Sequence, residues 1–353
     1  MDTVRIGVIG CGYWGPNLIR NYVEIPSAEV VIVADLNKDR LSYIKSRFPQ
    51  LQLTTDYHDF YSQGLNAVVI ATPPETHYKI AKECLENNLH VLVEKPMTLT
   101  SGDAEKLISL AESKDLTLMV GHTFEYNSAV HALKEIIKSG EIGDIYYIDS
   151  ARLNLGLFQR KLNVLWDLAP HDISILLYLL EREPISVCAL GMRCAFNDVF
   201  DNVYMNLVFP DSILAHVHVS WIDPCKVRRV TVVGSKKMVV YNDVDSNEKI
   251  KIYDKGVEVP PYTNGYGDFQ CNYRYGDVLI PNIRFDEPLK KESQHFLDCV
   301  MNHKIPCSSG YDGLRVIKVL EAAQRSLENQ NGQESIPWKM QILSESRQMS
   351  GLV

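Results

Sequence analysis

The sequence predicts a doubly wound parallel α/β sheet followed by an α+β domain with a predominantly antiparallel sheet. Three observations lead there. Over residues 1–122, short β-branched runs alternate with segments of helical spacing. A glycine triplet, Gly10, Gly12 and Gly15, sits at the first junction between them. Beyond His122 the pattern changes to longer runs joined by tight turns, with few crossover helices. The 353 residues exceed one typical core. Two domains are therefore expected, 1–122 and 123–353, with the boundary falling within 122–127.

The elements of the first domain follow in order. Val4 to Ile9 is a strand, and "GCGYWGPNLIRNY" continues it as G-x-G-x-x-G. Pro16 falls early in the next helix, where a missing N–H costs little. The strand "AEVVIVAD" ends at Asp35, twenty residues past Gly15. A glycine triplet alone is weak evidence. One that follows a strand, opens a helix and is trailed by an acid at this distance is a dinucleotide fingerprint. Gly10 allows the tight turn, Gly12 lets backbone approach a pyrophosphate, and Gly15 lets helix pack on strand. The helix N-terminus offers free N–H groups near Tyr13 and Trp14 to the phosphates. Asp35 is placed for a ribose 2′-hydroxyl and repels a 2′-phosphate, which favours NAD over NADP. The competing reading is a glycine-rich loop that holds no ligand.

The alternation continues. "NAVVIATPP" is a strand ending at Thr72 and Pro73, and a helix begins near Glu75 with His77 in its first turn. "HVLVEKP" ends at Glu94, "SGDAEKLISLAES" is helical, and "LTLMVGH" closes the series. In such sheets ligands sit beyond the carboxyl ends of the strands. Thr72, Pro73, Glu94, Lys95 and His122 all lie at such ends. His77 is either a cofactor contact or a surface helix residue. Lys95, set between Glu94 and Pro96, is placed to hydrogen-bond a substrate oxygen and to stabilise developing negative charge.

Composition narrows the partners. Charged residues make up 23% and hydrophobic residues 46%, ordinary for a soluble globular chain. A formal charge of -8 disfavours nucleic acid, which needs clustered Lys and Arg. No stretch has the length and apolarity of a signal or membrane segment. Eight cysteines form no CxxC pair, so neither zinc nor a disulfide framework is suggested. A cytoplasmic protein with reduced thiols is expected.

In the second domain, "SARLNLGLF", "VYMNLVFPDSILAHVHVSW" and "VRRVTVVGSKKMVVYND" read as strands, with turns at "FPDS" and "GSKK". Helices are expected from about Asp167 to Leu180, from Leu289 to Asn302, and over "GYDGLRVIKVLEAAQRSLEN". "WDLAPHDIS" places Asp167 and His171 one turn apart on one helix face. Asp167 is also a good N-cap. With Pro170 lacking an N–H, such a cap reaches only the Ala169 amide. Arg228 and Arg229 of "KVRR" point to opposite faces of a strand, so at most one faces a site, and a solvated face is the simpler reading. His216 and His218 share a face, but no third ligand is spaced to complete a metal site. The aromatic, glycine-rich run "YTNGYGDFQCNYRYGD" is a lid or a subunit contact. Arg152, Asn154 and Asn163 lie in the run leading to Asp167 and are candidate substrate binders.

"GVIGCGYWGPNLIRNY", "ATPPETH" and "EKP", in this order and spacing, resemble the Gfo/Idh/MocA family of sugar oxidoreductases. "GHTFEYN", "WDLAPHDIS", "SWIDPCKVR" and "EPLKKESQHFLDC" are similar to its nucleotide-sugar branch, so the likeness runs nearly to the C-terminus. The resemblance implies an N-terminal Rossmann domain and a C-terminal domain with a large open, mostly antiparallel sheet. That second domain would bind substrate and join copies into a homodimer or homotetramer. It also implies that Lys95, Asp167 and His171 are the catalytic groups and that NAD is the cofactor.

Hydride transfer from a sugar carbinol would then require a base for the hydroxyl proton. Histidine has a suited intrinsic pKa, so His171 is the candidate, with Asp167 orienting its ring or holding a substrate hydroxyl. The resemblance favours a UDP-N-acetylglucosamine-like substrate oxidised at C3, feeding a surface polysaccharide or a lipid A-type precursor. An inositol or free-sugar dehydrogenase and a keto-sugar reductase are the enzyme alternatives. A catalytically inactive NAD-binding regulator is the alternative of another class.

Overall fold

The computed structural model describes residues 3–159, 161–195, 197–258 and 272–338. Its first sheet holds β1 (Val4–Ile9), β2 (Ala28–Ala34), β3 (Gln52–Thr54), β4 (Ala67–Ile70), β5 (His90–Glu94) and β6 (Leu118–Gly121). All neighbours are parallel, in the order β3-β2-β1-β4-β5-β6. Four helices connect these strands: α1 (Gly15–Glu24), α2 (Lys38–Arg47), α3 (Pro74–Glu86) and α4 (Ser101–Ser113). Every residue of β4 and β6 is buried, because helices cover both faces and leave no polar side to alternate with. The order reverses between β1 and β4, which opens a crevice beyond the carboxyl ends of those strands.

After α5 (Ser128–Lys138), the second sheet begins with β7 (Ile145–Leu153). Next comes α6 (Val164–Leu180). The strands β8 (Ser186–Met192), β9 (Asn202–Val208), β10 (Leu214–Ser220), β11 (Val227–Gly234), β12 (Met238–Asn242), β13 (Ile250–Glu258) and β14 (Asn272–Leu279) follow. The chain then runs through α7 (Pro288–Asn302) and α8 (Gly310–Glu328) to β15 (Glu334–Ser335). The nine strands lie in the order β14-β13-β12-β11-β7-β10-β9-β8-β15. Within this sheet only the β10–β7 pair is parallel among the described residues. Alternation is strict here. On β9, Val203, Met205 and Leu207 are buried while Tyr204, Asn206 and Val208 are not. The buried face carries α6, which packs on β7, β9 and β10, and α8, which packs on β8.

On the opposite face His218 stacks on Tyr204 with ring centroids 4.0 Å apart. His216 and His218 hydrogen-bond Asn206 and Asn202, one strand over. Among the described residues no group of three or more His, Cys, Asp or Glu is arranged to hold a metal ion. Nor is any described helix long and apolar enough to cross a membrane. Most of the aromatic run that begins at residue 262 lies outside the described residues. Its end, from Asn272, forms β14 against β13.

The two C-terminal helices return to the first sheet. α7 packs on α1, and α8 packs on α4 and β6 as well as α6. The outer edge of β6 is met by Ser308 and Ser309: the Val120 N–H donates to the Ser308 carbonyl at 2.8 Å. One apolar cluster therefore runs from Ile70 and Val93 through Leu165 and Trp166 to Val187 and Leu207.

The start of α6 differs from the expectation at Asp167. The helix begins three residues earlier, because the Asn163 side chain accepts from the Trp166 N–H at 3.2 Å and caps it. Asp167 is thus free of capping duty and sits in the first turn. Pro170 lies inside the helix.

Candidate active site

A cavity of about 870 Å³ lies over the carboxyl ends of β1, β2 and β4. Gly10 has φ +100°, and a Cβ there would stand 2.5 Å from the Ala71 carbonyl oxygen. A Cβ on Gly15 would stand 2.1 Å from the Gly10 oxygen, so α1 can approach its turn only without one. Gly12 meets nothing nearer than Arg40 at 3.8 Å, which leaves its backbone open to a ligand. No side chain caps the N-terminus of α1, so its N–H groups face outward beside Tyr13 and Trp14. At the end of β2 the Asp35 carboxylate accepts the Cys11 N–H at 2.6 Å and the Asn37 N–H at 2.8 Å. These bonds aim it along the cavity that Thr72 and Pro73 also line. An open turn, an uncapped helix end and a fixed carboxylate are what a dinucleotide's pyrophosphate and ribose require.

Asp35→Ala is expected to weaken NAD binding by roughly 10-fold. NADP should suffer less, since the guanidinium of Arg40, now 3.7 Å from Asp35, is then free for a 2′-phosphate. Quenching of tryptophan fluorescence by each cofactor checks this, as Trp14 lines the cavity. Unchanged affinity for both would remove Asp35 from the cofactor site.

His77 is neither cofactor contact nor surface residue. It is 1% exposed, with its ring nitrogens 2.8 Å from the carbonyl oxygens of Pro96 and Thr72. Burial holds its pKa below the ordinary value, and a neutral ring can donate to only one of the two. It ties together the loops after β4 and β5, which carry Thr72 and Lys95.

A second cavity of about 1060 Å³ opens between the two sheets and shares Tyr13, Trp14, Thr72 and Pro74 with the first. Glu94, Lys95, Asp167 and His171 line it, together with Arg152 and Asn154. The Lys95 Nζ donates to the Asp167 main-chain oxygen at 2.7 Å and lies 3.7 Å from the Asp167 Oδ1. The Asp167 carboxylate also accepts from the Trp221 Nε1–H at 3.0 Å and the Gln159 Nε2 at 3.2 Å. It makes no hydrogen bond to His171, whose Nδ1 has no partner. The support expected for the imidazole goes to Lys95 instead. The ring of His171 stands edge-on to Phe124, 5.1 Å between centroids. Burial, then the charges of Lys95 and Arg152, hold its pKa well below the ordinary histidine value. It is therefore neutral in the physiological range, the form that accepts a proton.

The other candidates separate. The Arg152 guanidinium lies over Phe124 at 4.4 Å and pairs with buried Asp172, 2.7 Å from Nε to Oδ2. Asn163 does not line the cavity: its Oδ1 caps α6 and its Nδ2 donates to Gln324 at 2.8 Å. His122 is buried with both ring nitrogens unpartnered, and burial pushes it down to about 3. Trp221, Gln159 and Phe124 escaped the sequence reading, although two of them sit in "GHTFEYN" and "SWIDPCKVR".

Behind Lys95 the Glu94 Oε2 accepts the Lys95 N–H at 3.3 Å, and its Oε1 has no partner. Glu292 on α7 accepts from the Thr123 hydroxyl at 3.0 Å and likewise leaves Oε1 unpartnered. Burial pushes Glu94 up to about 7, and burial with the nearby Glu94 charge raises Glu292 well above 4.5. The folded state thus keeps protons that the unfolded state releases, so stability falls as pH rises from 4.5 through about 7. Glu292→Gln should flatten that fall and raise the melting temperature above neutrality. An unchanged slope in pH-dependent thermal melts would sink this account.

Two family models match the chain. One, described as "Oxidoreductase family, NAD-binding Rossmann fold", covers residues 4–122. The other, the GFO/IDH/MocA C-terminal domain, covers residues 130–240. A UDP-N-acetylglucosamine 3-dehydrogenase of Acidithiobacillus ferrooxidans is 26% identical over 90% of this chain and 95% of its own. A myo-inositol 2-dehydrogenase of Thermotoga maritima is 24% identical over 92% and 96%. The crystal structure of GenD2 from gentamicin A biosynthesis, solved with NAD, superposes with a TM-score of 0.80 at 21% identity, covering 96% and 97%. The chain belongs to the GFO/IDH/MocA family of NAD-binding oxidoreductases.

Proposed function

We propose that the chain oxidises a secondary hydroxyl of a nucleotide-linked sugar to a ketone, with UDP-N-acetylglucosamine at C3 the leading candidate. One observation carries the reading: Lys95 and a neutral His171 line the same cavity, and that cavity adjoins the dinucleotide cleft through Tyr13, Trp14 and Thr72. NAD held in the cleft of Gly10, Gly12 and Asp35 would supply the acceptor for the hydride of the carbinol carbon. His171 takes the hydroxyl proton, so the alcohol leaves as a carbonyl with both hydrogens accounted for. The Lys95 ammonium has three donors. One is held by the Asp167 main-chain oxygen, and the others are available to the substrate oxygen as its charge grows. Asp167 fixes the lysine and Trp221, keeping that ammonium on the cavity wall.

The Acidithiobacillus relative, aligned along nearly the whole chain, supports the nucleotide sugar. The Thermotoga relative supports an inositol or free sugar as the second reading. Retention of Lys95, Asp167 and His171 around one cavity speaks against an inactive regulator. The test is NADH formation on mixing the protein and NAD with a panel of UDP-sugars, free sugars and inositols, run in both directions with the keto compounds. No absorbance change with any polyol, despite tight NAD binding, would remove the dehydrogenase reading. The C3 assignment falls if NMR of the product places the ketone elsewhere.

A further inference from the structure

The chain carries an excess of acid, -8 overall, yet one wall of the second cavity is basic. Lys226, Arg228 and Lys249 line it, with Asp243 the carboxylate among them. Arg228 Nη1 lies 3.4 Å from the Asp243 Oδ2, and Lys249 Nζ lies 3.9 Å from its Oδ1. Asp243 is shared further, since its Oδ1 accepts from the Tyr241 hydroxyl at 3.0 Å. Lys226 makes no ion pair or hydrogen bond among the described residues. Three cations against one carboxylate leave about two positive charges unanswered on this wall.

Register adds a second argument. Arg228 lies on β11 and Lys226 immediately precedes that strand, and both line the second cavity. Arg228 stands directly opposite Arg152 across the β11–β7 ladder. Like charges so placed destabilise a strand pair unless they are neutralised. Asp172 cannot serve both: it is held by Arg152 Nε at 2.7 Å and Nη2 at 3.3 Å, and by the Ser150 hydroxyl at 2.8 Å. Arg229, the alternate residue, faces away and is exposed. Arg228 and His171 line the same cavity.

The geometry points to Lys226, Arg228 and Lys249 as an anion-binding wall that selects substrates carrying a diphosphate on the sugar. This rests on the dehydrogenase reading above and names the feature by which the site chooses among sugars. A diphosphate matches the surplus charge, and Arg228 offers it a planar fork. A sugar 1-phosphate or a uronic acid shares the anionic chemistry with fewer oxygens and less charge.

The experiment uses the full chain with saturating NAD, so that the dinucleotide cleft is already filled. Calorimetric titration with UDP, inorganic pyrophosphate, a hexose 1-phosphate and a hexuronate reads the wall directly. UDP and pyrophosphate should bind, the monophosphate and the carboxylate more weakly. Lys226→Ala, at an exposed position, should weaken UDP and pyrophosphate by roughly 10-fold. Lys226→Glu should weaken them by roughly 100-fold. In assays the same variants should raise KM for the UDP-sugar more than for a neutral sugar, with kcat held. Wild-type protein that binds neither UDP nor pyrophosphate, or Lys226→Glu binding them as tightly as wild type, overturns the inference. A tighter fit to the hexuronate than to UDP also overturns it, in favour of a sugar acid. The two readings fail separately. Loss of pyrophosphate binding in Lys226→Glu without NADH from any sugar leaves the wall and removes the dehydrogenase. NADH from neutral polyols with no anion bound does the reverse.

Discussion

His171→Ala is expected to lower kcat by ~10²-fold or more while leaving NAD affinity near that of the wild type. The reason is local. His171 lines the second cavity and not the dinucleotide cleft, so its removal takes away the proton acceptor without touching the cofactor's cradle. The wild type carries a signature that the variant should lose. Burial and the charges of Lys95 and Arg152 depress the His171 pKa, so the acid limb of kcat/KM should lie below the ordinary 6.5. Activity is then retained as pH falls through that value and lost only below it, when the ring finally takes a proton from solvent. An acid limb at or above 6.5, or near-full activity in His171→Ala, would take the base role from this residue.

Lys95→Met should cost ~10²- to 10³-fold in kcat, the scale of losing one preorganised donor to a developing oxyanion. The methionine keeps the stem's bulk and removes the charge, so folding is disturbed less than by alanine. Lys95→Arg should not restore the rate, because a planar fork cannot replace a compact ammonium seated on the Asp167 carbonyl. A second readout separates this from simple damage. After burial, Lys95 is the largest cause holding His171 low, so Lys95→Met should move the acid limb upward. If kcat falls and the limb stays in place, Lys95 does not sit close enough to His171 to share its chemistry.

What could be read from the chain was what is local along it. Gly10, Gly12, Gly15 and Asp35 act through one turn, one helix end and one strand end, so their spacing alone implies their geometry. The alternation of buried runs and helices likewise suffices for five of the six strands of the parallel sheet; β3 (Gln52–Thr54), with no fully buried residue, leaves no such signal. The misreading of Asp167 involves partners distant in sequence. Lys95 and Asp167 are 72 residues apart, and Trp221 and Asp167 are 54 apart. Nothing near Asp167 signals that its carboxylate serves the lysine and not His171 one turn on. Asn163 was misread because cap and ligand use the same amide. His77 was misread because its two carbonyl partners come from separate loops. The basic wall was discounted because a strand's alternation gives one face to Arg228 and the other to Arg229, but not which of them is inward. That is decided by β7 and β12, which flank the strand.

The contact of Ser308 and Ser309 with β6 bears on the order in which the molecule can be completed. β6 closes the first sheet and positions His122 and Thr123, yet its outer edge is covered by chain made much later. The Ser308 hydroxyl donates to the Val120 carbonyl across 188 residues of sequence. Until that segment has emerged from the ribosome, the nascent N-terminal half presents a bare, apolar strand edge of the kind that recruits other chains. The cofactor half, although first in the sequence, is thus among the last parts to be sealed. A product ending at residue 122 should aggregate rather than fold into a free-standing dinucleotide-binding domain.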